Sequence, residues 1–142
     1  MSLKKKFLMK AFCLLVGATN VVNAATHDET TYKNQRGSTL SLIWHHDTES
    51  SGKITGTFTT AVGNCQAEVG KPMPVTGYFS GNAITLSVLY PQCKKTIAMA
   101  GHTDKERSNM HTLWLVASAS DDPRGKNWDA NIVGSDTYQK LG

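Results

Sequence analysis

The sequence predicts an all-β fold, an eight-stranded antiparallel up-and-down β-barrel, from three observations. From Thr30 onward, apolar and polar residues alternate with the two-residue period of strands, and no segment sustains a helical period. Clusters of Gly, Pro, Asn, Asp and Ser interrupt this alternation at short intervals, as tight connections require. Eight short strands with short connections favour a barrel, because closure removes the exposed edges of a sheet. A sandwich with a similar number of strands is the structural alternative.

The individual strands follow from the turn signals and from the alternation between them. In chain order, the predicted strands are Thr31–Gln35, Ser38–His45, Lys53–Ala61, Pro74–Ser80, Ala83–Tyr90, Thr96–Thr103, Met110–Ser118 and Ala130–Gln139. The connections between them contain the turn formers Ser50-Ser51-Gly52, Ser80-Gly81-Asn82, Arg107-Ser108-Asn109 and the stretch 121–125. Because no low-complexity linker interrupts the chain, we expect one domain, with a core of ordinary size, over residues 25–142.

Strand parity predicts which side chains face the interior of the barrel. The inward sets are Ser38, Leu40, Leu42 and Trp44; Ile54, Gly56, Phe58 and Thr60; Ile84, Leu86, Val88 and Tyr90; Lys95, Ile97 and Met99; and Thr112, Trp114 and Val116. These sets are mostly apolar with polar groups toward one end, which suits a pocket for a small, partly polar ligand. Periodicity alone does not separate a pocket wall from core, and for Trp114 or Phe58 taken singly core is the simpler interpretation.

Residues 1–24 are predicted to be a secretory signal peptide. Lys4–Lys6 and Lys10 form a basic region, Ala11–Gly17 is apolar but too short to span a bilayer, and Val22-Asn23-Ala24 fits the small-x-small cleavage rule. Cys13 lies inside the apolar run with no lipobox before it, so we interpret it as an ordinary signal-peptide residue. We therefore expect a mature domain over 25–142 that is secreted or periplasmic and has no membrane association.

The charge balance gives no reason to expect nucleic-acid binding. The whole chain carries a formal charge of +4, from 15 Lys and Arg against 11 Asp and Glu. Four of those lysines and no acidic residue lie within 1–24, so the predicted mature chain is formally neutral. The basic balance is therefore a property of the signal peptide and not of a binding surface.

Two cysteines remain in the predicted mature chain, Cys65 and Cys93. In an exported protein, one intramolecular disulfide is the default. The barrel supports it, because alternating strands bring the third-to-fourth and fifth-to-sixth connections, which hold these residues, to the same end. A metal site is disfavoured, since two cysteines without CxxC spacing supply too few ligands and the adjacent His45 and His46 point to opposite faces of a strand.

Three segments in combination carry a family resemblance. These are Asn34–Ser38, Thr55–Asn64 with its Thr-Gly-Thr-Phe and Ala-Val-Gly-Asn motifs, and Gly134–Tyr138; in addition, Trp128 precedes Asp136 by eight residues. From about Tyr32 to Tyr138 the chain resembles the avidin/streptavidin family. The resemblance implies an eight-stranded barrel that binds biotin, without a cofactor, and that assembles as a homo-oligomer.

The resemblance also implies roles for individual residues. Asn34, Ser38 and Phe58 match positions around the ureido carbonyl oxygen, and Thr60 and Asp136 match the acceptors of the two ureido N–H groups, where a carboxylate gives a charge-assisted bond. The remaining matched positions are Val62 and Asn64 in the loop that meets the ligand carboxylate, Trp114 and Val116 as apolar contacts, and Trp128 as the tryptophan that a neighbouring subunit lends to the pocket.

The chain departs from the family pattern at several of these positions. Phe58 replaces a tyrosine and so lacks a hydroxyl donor, whereas Tyr90 and Met99 replace two wall tryptophans. The hydroxyl groups on the valerate side are not clearly present around Lys95–Ile97, although Thr96 supplies one if the register shifts by one residue. Since each smaller wall residue costs roughly 1–3 kcal/mol of apolar contact, we expect affinity below the family extreme.

Three hypotheses for function follow. The first is an exported, non-enzymatic protein that sequesters biotin, and the second is a barrel carrier of another small apolar ligand without biotin selectivity. The third is an enzyme that uses the ionisable residues around the sixth-to-seventh hairpin, namely His102, Asp104, Glu106 and His111. We disfavour the enzyme, because this hairpin lies at the end opposite the cysteines and no nucleophile motif such as G-x-S-x-G is present. The oligomeric state is left open, because the cysteine positions resemble those of dimeric family members whereas Trp128 resembles the tryptophan of tetrameric ones.

Overall fold

A computed structural model describes residues 27–124 and 130–142, and these form a closed antiparallel barrel. Its strands are β1 (His27–Asn34), β2 (Thr39–His46), β3 (Ser51–Thr59), β4 (Pro72–Ser80), β5 (Ala83–Tyr90), β6 (Lys95–Thr103), β7 (Asn109–Ser118) and β8 (Asn131–Lys140). Each strand pairs with the next in the chain, and β8 closes the barrel onto β1 through three residue pairs. The predicted fold class is confirmed.

The observed strands β1 and β3 differ from their predicted bounds, by four residues at the start of β1 and by two at each end of β3. β1 begins at His27 and not at Thr31, because the polar residues 27–30 pair with β2 as far as His27 opposite His45. β3 begins at Ser51 and pairs with β4 along its whole length, but it ends at Thr59, before the predicted Ala61. The predicted signal peptide and Trp128 lie outside the described residues.

The predicted inward faces are confirmed by the burial pattern. β5 alternates strictly, with Ile84, Leu86, Val88 and Tyr90 buried and the residues between them exposed. β2 buries Leu40, Leu42 and Trp44, with half-buried residues between them. Since the strands also twist around a common interior, these side chains from different strands form one core cluster.

One end of the barrel, where the β2–β3, β4–β5 and β6–β7 connections lie, is closed by packed aromatic groups. Trp44 and Phe79 meet edge to face with ring centroids 5.3 Å apart. The guanidinium carbon of Arg107, in the β6–β7 turn, lies 4.1 Å from the Trp44 ring centroid, and the Arg107 backbone carbonyl accepts a hydrogen bond from the Tyr32 hydroxyl at 2.9 Å. We call this the closed end.

The described residues contain no helix long and apolar enough to cross a lipid bilayer.

Candidate ligand-binding site

The opposite end of the barrel, where the β1–β2, β3–β4 and β5–β6 connections meet, contains a cavity of about 220 Å³. We call this the open end. The volume lies below the roughly 300–1,000 Å³ typical of drug-sized ligands, so the cavity suits a small molecule. The structure brings these predicted site residues together around it: Asn34, Ser38, Phe58, Thr60, Val62, Asn64, Tyr90, Met99, Trp114, Val116 and Asp136.

The β1–β2 turn holds the side chain of Asn34 in a fixed orientation. Its Oδ1 accepts hydrogen bonds from the backbone N–H groups of Arg36 at 3.1 Å and Ser38 at 2.8 Å. The turn also requires Gly37, whose φ of +90° lies in the region that favours glycine. Because the oxygen is committed to the turn, the Nδ2 group is directed the other way, toward the barrel interior and Asp136.

Asp136, on β8, is a buried carboxylate surrounded by donors. Its Oδ2 accepts a hydrogen bond from Asn34 Nδ2 at 3.1 Å, and its Oδ1 accepts one from Gln35 Nε2 at 3.0 Å. The Arg36 Nε lies 3.5 Å from the same Oδ1. A carboxylate has about four lone-pair directions, so three donors leave room for a further one from a ligand.

The β1–β2 turn and the loop after β3 each supply one hydroxyl group to the cavity wall. The Oγ of Ser38 accepts a hydrogen bond from the Ala61 backbone N–H at 3.0 Å, which joins the β1–β2 turn to this loop. The Thr60 hydroxyl donates to the Val62 carbonyl at 2.5 Å. Ser38 therefore keeps a donor hydrogen, whereas Thr60 keeps acceptor capacity.

The apolar part of the wall comes from β3, β6 and β7. Phe58 and Met99 are buried and Trp114 is partly buried, and all three face the cavity. The Trp114 ring lies against β8 at Gly134, where any side chain would overlap the indole. Glycine at 134 is thus required for Trp114 to lie flat against the wall, and the two residues are matched across the β7–β8 pair.

The prediction that Thr96 contacts a ligand is wrong. Thr96 is exposed on the outer face of β6, and its hydroxyl donates to the Val88 carbonyl of β5 at 3.2 Å. Its neighbours Lys95 and Ile97 line the cavity instead, as strand parity requires. The register does not shift by one residue, so no Thr96 hydroxyl reaches the interior.

The predicted disulfide between Cys65 and Cys93 is confirmed, with Cα atoms 6.1 Å apart. It joins the β3–β4 loop to the β5–β6 connection at the open end, beside the cavity. A carboxylate oxygen of Glu68 lies within 4.8 Å of both sulfur atoms. Because both cysteines are bonded to each other, this cluster does not offer thiolate ligands to a metal.

Sequence reasoning missed Glu68 and Val69 as cavity residues. Glu68 is almost fully buried, and its Oε1 accepts a hydrogen bond from the Gln92 backbone N–H at 2.9 Å. Burial, with a smaller contribution from Glu68, raises the pKa of the neighbouring Tyr90 to about 12, so the phenol stays neutral. A charged residue in a polar loop gives no sequence signal for such burial.

The ionisable residues of the enzyme hypothesis lie away from the cavity. His102 and His111 face each other across β6 and β7 on the exposed outer surface. The Asp104 carboxylate accepts hydrogen bonds from the backbone N–H groups of Ser108 and Asn109, which fold the β6–β7 turn. The Asn109 side chain and these N–H groups lower the pKa of Asp104. This geometry gives Asp104 a structural role in the turn.

Comparison with known families and structures agrees with the fold. The model of the Avidin family matches residues 23–141 of the chain. The crystal structure of core-bradavidin is similar with 30% sequence identity and a TM-score of 0.66, covering 80% of this chain and 100% of that one. No curated protein sequence matches.

Two further solved structures are similar and contain biotin. The structure of the bradavidin2–biotin complex has 26% identity and a TM-score of 0.60, and it covers 80% of this chain and 96% of that one. The rhizavidin–biotin complex has 21% identity and a TM-score of 0.63, with coverage of 81% and 92%. At 21% identity, the likeness to rhizavidin is evidence for the fold alone.

Proposed function

Because the chain belongs to the avidin family, we propose that it is an exported, non-enzymatic protein that binds and sequesters biotin at the open end of its barrel. One observation carries this proposal. Asn34 Nδ2 and Ser38 Oγ, which are donors, lie in the same small cavity as Thr60 Oγ1 and the Asp136 carboxylate, which are acceptors. A ureido group presents a carbonyl oxygen between two N–H groups, so it needs both kinds of partner. The biotin complex of bradavidin2 supports the assignment.

The hydrogen-bond capacity of these groups supports the ureido role. Asn34 Nδ2 carries two hydrogens and gives one to Asp136, so the second is available to a carbonyl oxygen. Ser38 accepts from Ala61 and has its own hydrogen available for the same carbonyl oxygen. The Asp136 carboxylate makes a charge-assisted bond to one ureido N–H, which polarises the carbonyl and strengthens the bonds at the other side. Phe58 offers no donor, so we expect an affinity below that of the tightest family members.

Export is part of the proposal. The predicted signal peptide over 1–24 supports it, and so does the disulfide between Cys65 and Cys93, since disulfides persist in oxidising compartments. The mature protein then captures biotin in the periplasm or outside the cell.

We also propose a homo-oligomer. Leu113, Leu115 and Val133 form an apolar patch on the outer face of β7 and β8, and Val133 is 74% exposed. Burial of this patch against a second copy removes it from water. In that assembly Trp128 reaches the cavity of the neighbouring subunit and slows ligand release. Light scattering of the mature protein and the biotin dissociation rate of Trp128→Ala test this; a monomer with an unchanged rate contradicts it.

Isothermal titration of the mature protein with biotin tests the main proposal. We expect one site per chain, and we expect Asp136→Ala to weaken binding by about 2 kcal/mol or more, because it removes an acceptor from a buried donor. Asp47→Ala, at an exposed position near the closed end, is the matched control and should bind as the wild type does. The absence of saturable heat at millimolar biotin contradicts the proposal. Lipoic acid has a similar acid chain but no ureido group. A protein that selects biotin should not bind lipoic acid, whereas a general carrier of apolar ligands should bind both.

A further inference from the structure

The charged side chains of the cavity divide into two groups. Arg36 and Asp136 lie together on the side of the β1–β2 turn, with 3.5 Å between Nε and Oδ1, so they largely compensate each other. Among the described residues that line the cavity, the ionisable groups on the side of the disulfide and the β3–β4 loop are Glu68, Tyr90 and Lys95. This second side lies nearer the strand ends at the mouth than Asp136 does, because Lys95 pairs with Ser118 of β7 whereas Asp136 pairs with Thr112.

Glu68 and Tyr90 do not present a charge to a ligand at the mouth. The Oε1 of Glu68 accepts the Gln92 N–H, and its Oε2 is buried from solvent. The Tyr90 hydroxyl is likewise buried, and at neutral pH it carries no charge. Both residues line the cavity, but their terminal oxygen atoms are buried from solvent or already hydrogen-bonded to the protein.

Lys95 presents the accessible charge on this side. It is the first residue of β6, it lies opposite Tyr90 in the β5–β6 pair, and its side chain lines the cavity. Its Nζ donates a hydrogen bond to Asn64 Oδ1 in the β3–β4 loop at 2.9 Å. Asn64 takes one of the three ammonium hydrogens and fixes the position of the group, and two hydrogens are left for a ligand. The mouth thus carries a positioned cation.

We propose that Lys95 selects ligands whose tail ends in a free carboxylate. This inference rests on the proposed function: with the ureido ring held at Asn34 and Asp136, the acid chain of biotin runs toward the mouth and its carboxylate meets the Lys95 ammonium. An ester or amide of biotin keeps the ring and the chain but has no negative charge to pair with Lys95. The protein therefore captures free biotin in preference to biotin that is attached to a protein through an amide.

Titration of four proteins with biotin and biotin methyl ester tests the inference. The wild type should bind biotin about tenfold more tightly than the ester, the lower end of the range for a charge-assisted bond because the pair is near the surface. Lys95→Met should weaken biotin binding about tenfold and change ester binding by less than about twofold. Lys95→Arg should keep the preference. Lys94→Met, at the adjacent exposed position, is the matched control and should behave as the wild type does for both ligands.

The salt dependence of ligand affinity is a second measurement. If Lys95 had only a structural role, biotin and its ester would show the same salt dependence. Biotin binding by the wild type should weaken between about 50 mM and about 500 mM NaCl, while ester binding should not, since screening acts only on the charged pair. Equal affinity of the wild type for biotin and its ester overturns the inference and leaves the proposed function intact. Equal weakening of both ligands by Lys95→Met also overturns it, because Lys95 would then only hold the loop through Asn64. Failure of the wild type to bind either ligand contradicts both the inference and the proposed function.

Discussion

The two ends of the barrel are built from the same alternating strands, yet one is packed solid and the other encloses a cavity. At the closed end the inward positions carry Trp44 and Phe79, and Arg107 covers them. At the open end they include the smaller, polar Ser38 and Thr60 beside the larger Phe58 and Trp114. The comparison teaches that alternation decides which side chains face inward, whereas their volume and polarity decide whether the interior becomes core or cavity.

Truncating a tryptophan at each end gives the largest expected effect and tests this comparison directly. Trp44 is 1% exposed and packs against Phe79, so Trp44→Ala should lower the free energy of unfolding by about 3–5 kcal/mol. Trp114 is only partly buried on the cavity wall, so Trp114→Ala should cost less stability and mainly weaken biotin binding. Urea denaturation and titration calorimetry measure both quantities. Equal losses of stability in the two variants contradict the distinction between the ends.

The fold and most of the candidate site could be predicted from the sequence, because both depend on strand parity. A two-residue period places Phe58, Tyr90, Met99 and Trp114 on inward faces without any knowledge of the neighbouring strands. The same rule excludes Thr96, and assigning it to the cavity required a register shift that the β5–β6 pairing does not contain. The family resemblance added the expectation of which of these residues face a ligand and which are core.

The remainder of the site depends on loop geometry, which has no period. Glu68 is buried because the β3–β4 loop folds over the barrel and offers its carboxylate to the Gln92 N–H of the next connection. Arg36 reaches Asp136 because the Asn34–Ser38 turn directs its side chain back across the cavity. Both interactions join residues far apart in the chain, and a charged residue in a turn has the same sequence signature whether it is solvated or paired.

Reduction of the disulfide should have the next largest effect, a loss of global stability together with a loss of order at the open end. The disulfide joins two residues 28 positions apart in the chain. Its loss gives the unfolded chain more conformational entropy and should therefore lower the free energy of unfolding by roughly 3–4 kcal/mol. Since Cys65 and Cys93 hold the β3–β4 loop beside the cavity, biotin should also dissociate faster from the Cys65→Ser, Cys93→Ser double variant.

Hydrogen exchange locates the effect of that double variant. We expect amide protection to fall most in the β3–β4 loop and less around Trp44 and Phe79 at the closed end. An equal loss of protection at both ends would show that the barrel opens as one cooperative unit and that the two ends are not independent.

The smallest expected effect concerns a feature that both ends share, an arginine over a tryptophan. At the closed end the Arg107 guanidinium carbon lies 4.1 Å from the Trp44 ring centroid, whereas at the open end that of Arg36 lies 5.6 Å from the Trp114 ring centroid. The Arg36 Nε is also 3.5 Å from Asp136 Oδ1, so this arginine is shared between the indole and the carboxylate.

Arg36 thus lies over the indole face that the proposed ligand uses and beside the Asp136 carboxylate, which keeps one acceptor direction for the ligand, so biotin must displace the guanidinium from the indole. Its side chain is 45% exposed, so water screens the ion pair and its displacement should cost only about 1 kcal/mol. We therefore expect Arg36→Leu to tighten biotin binding about fivefold in titration calorimetry, a change of about 1 kcal/mol. Arg107→Leu, its counterpart at the closed end, should lower the melting temperature and leave biotin affinity unchanged. If Arg36→Leu instead weakens binding, the guanidinium contacts the ligand and does not compete with it.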